Sequence, residues 1–199
     1  MKIVIQVILF AAICVVAYLV VESINKPLRF NAEQQRRYTV TIQRLKDIRT
    51  AQVAYRGENK EYTGSFETLI EFLKSGEFKV VKIIGDLDDS ATISAGKIIR
   101  DTIRIPVLDS LFKKGYNVDS LRYVPFTQGV VFEMDTAYLT AGNVKVNVFE
   151  AKISNDVLLR GLDAQLLFNF NADRQLKTGY PGLKVGSLTE TTNNAGNWE

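Results

Sequence analysis

The chain has 199 residues and a net charge of +3, and its lysines and arginines are scattered rather than gathered into a basic stripe interleaved with aromatics, so composition gives no support to nucleic-acid binding. It contains no histidine, which removes the commonest general base, the commonest zinc ligand and the usual pH switch together. Its single cysteine, Cys14, falls inside an apolar run, so no disulfide staples the rest of the chain.

The first element sets the organisation. Ile3 to Val21 is apolar apart from Gln6 and Tyr18. Nineteen helical residues span roughly 28 Å, about the hydrocarbon thickness of a bilayer. A run this long and apolar predicts a membrane-spanning helix rather than a core helix. The run closes on Tyr18-Leu19-Val20-Val21-Glu22-Ser23, without the small-x-small pattern of a cleavage site, so a retained anchor is expected in place of a removed signal. Gln6 and the small pair Ala11-Ala12 are the positions where this helix can meet others. Charge leaves the orientation open. Lys2 stands on one side of the run, and Lys26, Arg29, Arg36 and Arg37 on the other, which by itself favours a cytoplasmic body; long domains, however, translocate largely regardless of such charges.

Pro27 is expected to end or kink the first helix, and Asn31, with Gln34 three residues on, to cap a new one. In that second segment Tyr38, Ile42, Leu45, Ile48, Ala51 or Gln52, and Tyr55 recur at three- and four-residue steps, predicting an amphipathic stem helix to about Arg56, ended by Gly57. Ser65 then caps a short helix, Phe66 to Ser75, with Gly76 closing it and Phe66, Leu69, Ile70 and Leu73 on its apolar face.

After Gly76 the pattern turns to strands: Phe78 to Ile84, Ile98 to Val107, Leu121 to Phe126, Val130 to Leu139 and Asn143 to Ile153, the last with Val144, Val146 and Val148 in alternation and a break of step near Glu150, before Ala151. A helical turn is expected at 109–114, one more strand at Val157 to Leu162, and a helix Ala164 to Thr178 between Asp163 and Gly179, although Phe168-Asn169-Phe170-Asn171 also alternates as a strand would. The tail from Tyr180, rich in Gly, Thr and Asn, reads as irregular. The fold class is therefore α+β: residues 1–25 an anchor, 26–76 the stem and second helix, and 77–199 a body built on a small antiparallel sheet with short helices.

Few residues carry a chemical signal. Asp86, Asp88 and Asp89 resemble the opening of a calcium loop, but Ala91 replaces the turn glycine and Lys97 the bidentate glutamate, so a solvated polar loop is expected there. No phosphate-binding glycine loop or nucleophile elbow occurs. No catalytic, cofactor-binding or metal residue is assigned, and the chain is read as a non-enzyme.

The N-terminal third, an apolar helix leading into Leu45-Lys46-Asp47-Ile48-Arg49-Thr50-Ala51-Gln52-Val53-Ala54-Tyr55 and then Asn59 and Tyr62, resembles the type IV pilin and pseudopilin family. The closing Ala195-Gly196-Asn197-Trp198-Glu199, with Val185-Gly186-Ser187 before it, is similar to the C-terminal loop of the major pseudopilins of type II secretion. In that family the loop binds calcium through acidic residues; here Thr189, Thr191, Thr192, Asn193 and Asn194 surround a lone Glu190, and no metal is assigned. The resemblance implies a single-pass inner-membrane protein with a periplasmic body, acting as a structural or adaptor subunit of a pilus-like or secretion-like assembly. Its partners would be other membrane or envelope proteins or further copies of itself. The alternative is an anchored periplasmic module that binds a ligand or a protein.

Overall fold

The computed structural model describes residues 2–84, 99–142 and 144–199. It is α+β: one long N-terminal apolar helix, then short helices and small antiparallel sheets. Helix α1 runs from Lys2 to Asn59 without a break. The expected stop at Pro27 and fresh cap at Asn31 do not occur. A proline deletes one backbone bond, that to the Ser23 carbonyl, and helix-favouring sequence on both sides carries the chain across. Nor does Gly57 end the helix. Lys60 takes the left-handed closing position (φ 68°), its N–H bonding the Arg56 carbonyl at 2.8 Å and its ammonium the Gly57 carbonyl at 3.0 Å.

The two halves of α1 have opposite surroundings. Up to Arg29 it buries nothing, and the apolar side chains of Ile3–Val21, with Ile24 and Leu28, stand exposed. From Phe30 onward it buries Tyr38, Thr41, Leu45, Ile48, Ala51 and Gln52, with Ile42 and Tyr55 packed at the margin. This is the predicted stripe, joined by Phe30 and Thr41.

Helix α2, Phe66–Ser75, forms as its spacing predicts. The Ser65 hydroxyl accepts from Thr68 N–H at 3.4 Å, and Phe66, Leu69, Ile70 and Leu73 are buried. Strands β1 (Glu77–Ile84) and β2 (Ile99–Pro106) pair antiparallel as a two-stranded sheet. Asp86, Asp88, Asp89, Ala91 and Lys97 lie outside the described residues. A short helix α3, Val107–Leu111, follows, two residues before the expected turn.

The strand expected over Leu121–Phe126 is instead a 3-10 turn, Val118–Arg122, with a single bridge from Tyr123 to Val131. Local bonds win here: the Ser120 hydroxyl donates to the Asn117 carbonyl at 2.6 Å, and Leu121 is driven fully into the core. Strands β3 (Glu133–Ala141), β4 (Val144–Ser154) and β5 (Gly182–Gly186) form a sheet in the order β3-β4-β5. Of the residues that suggested the alternation, Val148 and Ala151 are buried, Val146 is half-buried and Val144 is exposed; from Asn147 to Ala151 the strand is buried on both faces, with Ile153 beyond.

In place of the strand expected at Val157–Leu162, helix α4 spans Asn155–Leu158. A turn lets the adjacent Leu158 and Leu159 both reach the same core, whereas in a strand they would point to opposite faces. Helix α5, Ala164–Thr178, has the expected limits: Asp163 Oδ1 accepts from Leu166 N–H at 3.0 Å, and Gly179 closes it at φ 68°. The tail is less irregular than its composition indicates. Gly182 and Gly186 lie so close to β4 that a Cβ would collide with the carbonyls of Ile153 and Phe149, so these glycines permit a strand rather than forbid one.

Candidate functional site

Two surfaces stand out. The first is the uncovered apolar half of α1. A window of 18 residues in it reaches a mean hydropathy of 2.9, and the helix is long and apolar enough to cross a membrane. Gln6, Ala11 and Ala12 are exposed on it, together with the free Cys14.

The second is a polar cleft around Tyr62, at the other end of α1. Gln52, fully buried, holds the loop that carries Tyr62. Its amide donates to the Thr63 carbonyl at 2.6 Å and accepts from Thr63 N–H at 3.2 Å, as a neighbouring strand would. This locks the loop after α1 and turns Tyr62 inward. The Tyr62 ring packs on Phe149 at 4.8 Å, its N–H donates to Asn147 Oδ1, and its hydroxyl accepts from Arg56 at 3.1 Å and Asn194 at 2.7 Å.

The C-terminal segment forms the far wall. Asn193 and Asn194 both adopt left-handed backbone (φ 52° and 61°), which turns the chain back towards the stem. Glu199 holds that turn by an ion pair to Arg49 at 2.6 Å, and Arg49 also donates to the Asn194 carbonyl at 3.3 Å. Arg49 draws the Glu199 carboxyl below its ordinary range. Asn197 extends the sheet past β5: its N–H bonds the Lys184 carbonyl at 3.0 Å, and its side chain bonds Lys184 N–H at 3.1 Å and the Gly182 carbonyl at 3.0 Å.

Two hollows flank Tyr62, one of about 190 Å³ with Asn147, Ser187 and Thr192 on its walls, the other an open groove of about 580 Å³ with Val53, Phe78 and Leu111. The first is smaller than the roughly 300–1,000 Å³ of usual small-molecule sites. The side chains around it are amide, hydroxyl and guanidinium groups and the apolar Val146, Val148 and Phe149, with Glu190 as the carboxylate. This set can hold hydrogen bonds. Among the described residues no three acidic, histidine or cysteine side chains gather as a cation would need.

In the sequence Tyr62 is marked only by a family likeness, and Gln52 only as an alternative to Ala51 on the stripe. The available signal was a glutamine in register with an apolar stripe, which is a buried amide in search of a partner. Compared with family models, characterised proteins and solved structures, the chain matches none of them.

Proposed function

We propose that this chain is a non-catalytic, single-pass structural or adaptor subunit of a bacterial envelope assembly, pilus-like or secretion-like, anchored in the inner membrane with its body in the periplasm. One observation carries the reading: a single helix supplies both an uncovered apolar half, long enough to span a bilayer, and the spine of the body's core. Such a design joins position in the membrane to position of the body. Membrane helices associate by close packing and interhelical hydrogen bonds, so Ala11-Ala12 and Gln6 are where neighbours would be met.

The test exchanges Lys2–Val21 for an unrelated membrane helix, then isolates the native complex from membranes. Loss of the co-isolated envelope proteins or further copies, with the body still folded, is the expected result. An exchange that leaves the complex unchanged removes the assembly reading.

The Tyr62 cleft favours a second reading, an anchored periplasmic binding module. Its polar groups converge as a recognition site's do. If that reading is right, Asn147→Ala or Asn194→Ala abolishes the association while the exchanged anchor preserves it.

A further inference from the structure

We propose that the first turn of α5 is a second membrane contact, which seats the body on the lipid surface beside α1; this rests on the reading of Ile3–Val21 as an anchor. The start of α5 stands at the height where the apolar run ends. Leu19, Glu22 and Lys26 share a cleft with Asp163, Gln165 and Leu166. An adjoining cleft brings Arg29 and Phe30 against Gly161 and Leu162. From that base α5 climbs along α1, because Phe170 meets the Phe30 ring at 6.0 Å and the Tyr38 ring at 5.8 Å, edge-on in both cases.

The face turned away from α1 is uncovered. Phe168 lies about 200° around the helix from Phe170, and it is 69% exposed. No residue of α5 is fully buried, so the helix is gripped on one side only. At the same height α1 exposes Ile24 and Leu28, with Lys26 and Arg29 between and beside them. Apolar side chains set among the cations Lys26 and Arg29 and the carboxylates Glu22 and Asp163, at the end of a membrane-length run, match the boundary between acyl chains and zwitterionic or charged headgroups. Leu19 at the end of the apolar run and Leu166 in the first turn of α5 line one cleft, so lipid covering the one reaches the other.

The experiment uses the full chain with Cys14→Ala, carrying single cysteines at Ala11, Gln165 or Leu176, each with an environment-sensitive fluorophore. The protein is placed in vesicles of mixed phosphatidylcholine and phosphatidylglycerol. Leu176 is 88% exposed and lies further up α5, so it serves as the aqueous reference. Expected is quenching at Gln165 by lipids with a headgroup-level nitroxide and protection from iodide, quenching at Ala11 by deep nitroxides, and the reverse at Leu176. Phe168→Ser should lower the lipid quenching at Gln165. If Gln165 follows Leu176 while Ala11 stays in lipid, the seat is wrong and the anchor stands. If iodide reaches Ala11, the anchor reading fails and takes the seat with it. If Gln165 is shielded from both quenchers, protein covers α5, and a second copy replaces lipid as the occupant.

Discussion

The Tyr38 hydroxyl donates to the side-chain oxygen of Asn155 at 2.6 Å, tying the stem to a residue 117 positions later. Asn155 is fully buried, and it passes the connection on: its amide donates to Asn171 at 2.9 Å, and Asn171 donates to Asp156 at 2.8 Å. One chain of hydrogen bonds therefore joins α1, α4 and α5.

Removing its first member leaves a buried amide oxygen without a donor. Tyr38→Phe should cost about 1–3 kcal/mol in chemical denaturation of the detergent-solubilised chain. Burial pushes the Tyr38 hydroxyl up to about 12, against smaller opposing effects of Arg174 and Asn155. A raised value means the native state holds the proton more tightly. The contribution is then whole below the ordinary value of 10.0 and fades as pH rises through about 12. An alkaline transition that is the same in Tyr38→Phe as in wild type would contradict this.

Leu45 and Lys46 are neighbours with opposite fates, the first fully buried and the second exposed. Leu45→Asp should destabilise the body by more than about 3 kcal/mol, through lost packing and an unpaired charge. Lys46→Ala should change stability by about 0.5 kcal/mol or less. Thermal melts that show equal tolerance at both positions would mean the stripe is not the core.

Glu33 accepts from Arg36 at 2.9 and 3.0 Å and from Arg37 at 2.8 Å, which together hold its carboxyl at about 2. Arg37 in turn donates to the carbonyls of Leu158 and Arg160, so Glu33 orients the residue that clamps α4 to the stem. A lowered value means the contribution is present above the ordinary 4.5 and is lost as pH falls towards about 2. The stability gap between wild type and Glu33→Gln should therefore be widest near neutrality and close across that acid interval. A gap that stays constant down to the lowest pH would assign the effect to something other than this ion pair.

Two glycines should respond to alanine with opposite signs. Gly57 lies inside α1 with open space around it, so Gly57→Ala should stabilise by about 0.5–1 kcal/mol. Gly186 has φ 74°, and a Cβ there collides with the Phe149 carbonyl. Gly186→Ala should cost at least about 2 kcal/mol and loosen the tail from the sheet. Paired melts with hydrogen exchange at Lys184 and Asn197 read both effects.

Where local rules and packing agree, the sequence was a sufficient guide. Ser65 and Asp163 cap as their side chains dictate, and the step from Leu45 to Ile48 marks the buried face. Misreadings fall where a distant partner decides. The Gly-rich stretch 182–186 resembles a loop until β4 lies beside it, because only then is the want of a Cβ an asset. Leu121 and Leu158 sit in segments with strand-like composition, yet core contacts from turns claim both. Pro27 misled in another way, since one missing backbone bond is a local loss against a long helix on either side. The Tyr62 cleft was the least legible, because it takes shape only when the last seven residues fold back onto α1.

The passage of α1 through Pro27 without interruption has a geometric consequence for a chain anchored through Ile3–Val21. Each helical residue turns the chain by about 100° and advances it by about 1.5 Å. Deleting one residue between Glu22 and Arg29 would swing the body about a quarter of a circle relative to the anchor, with almost no change in its height. Inserting seven would restore its heading to within about 20° while lifting it by about 10 Å. The compass bearing that the body presents to its surroundings is thus written in a residue count, and it can be reset by one codon.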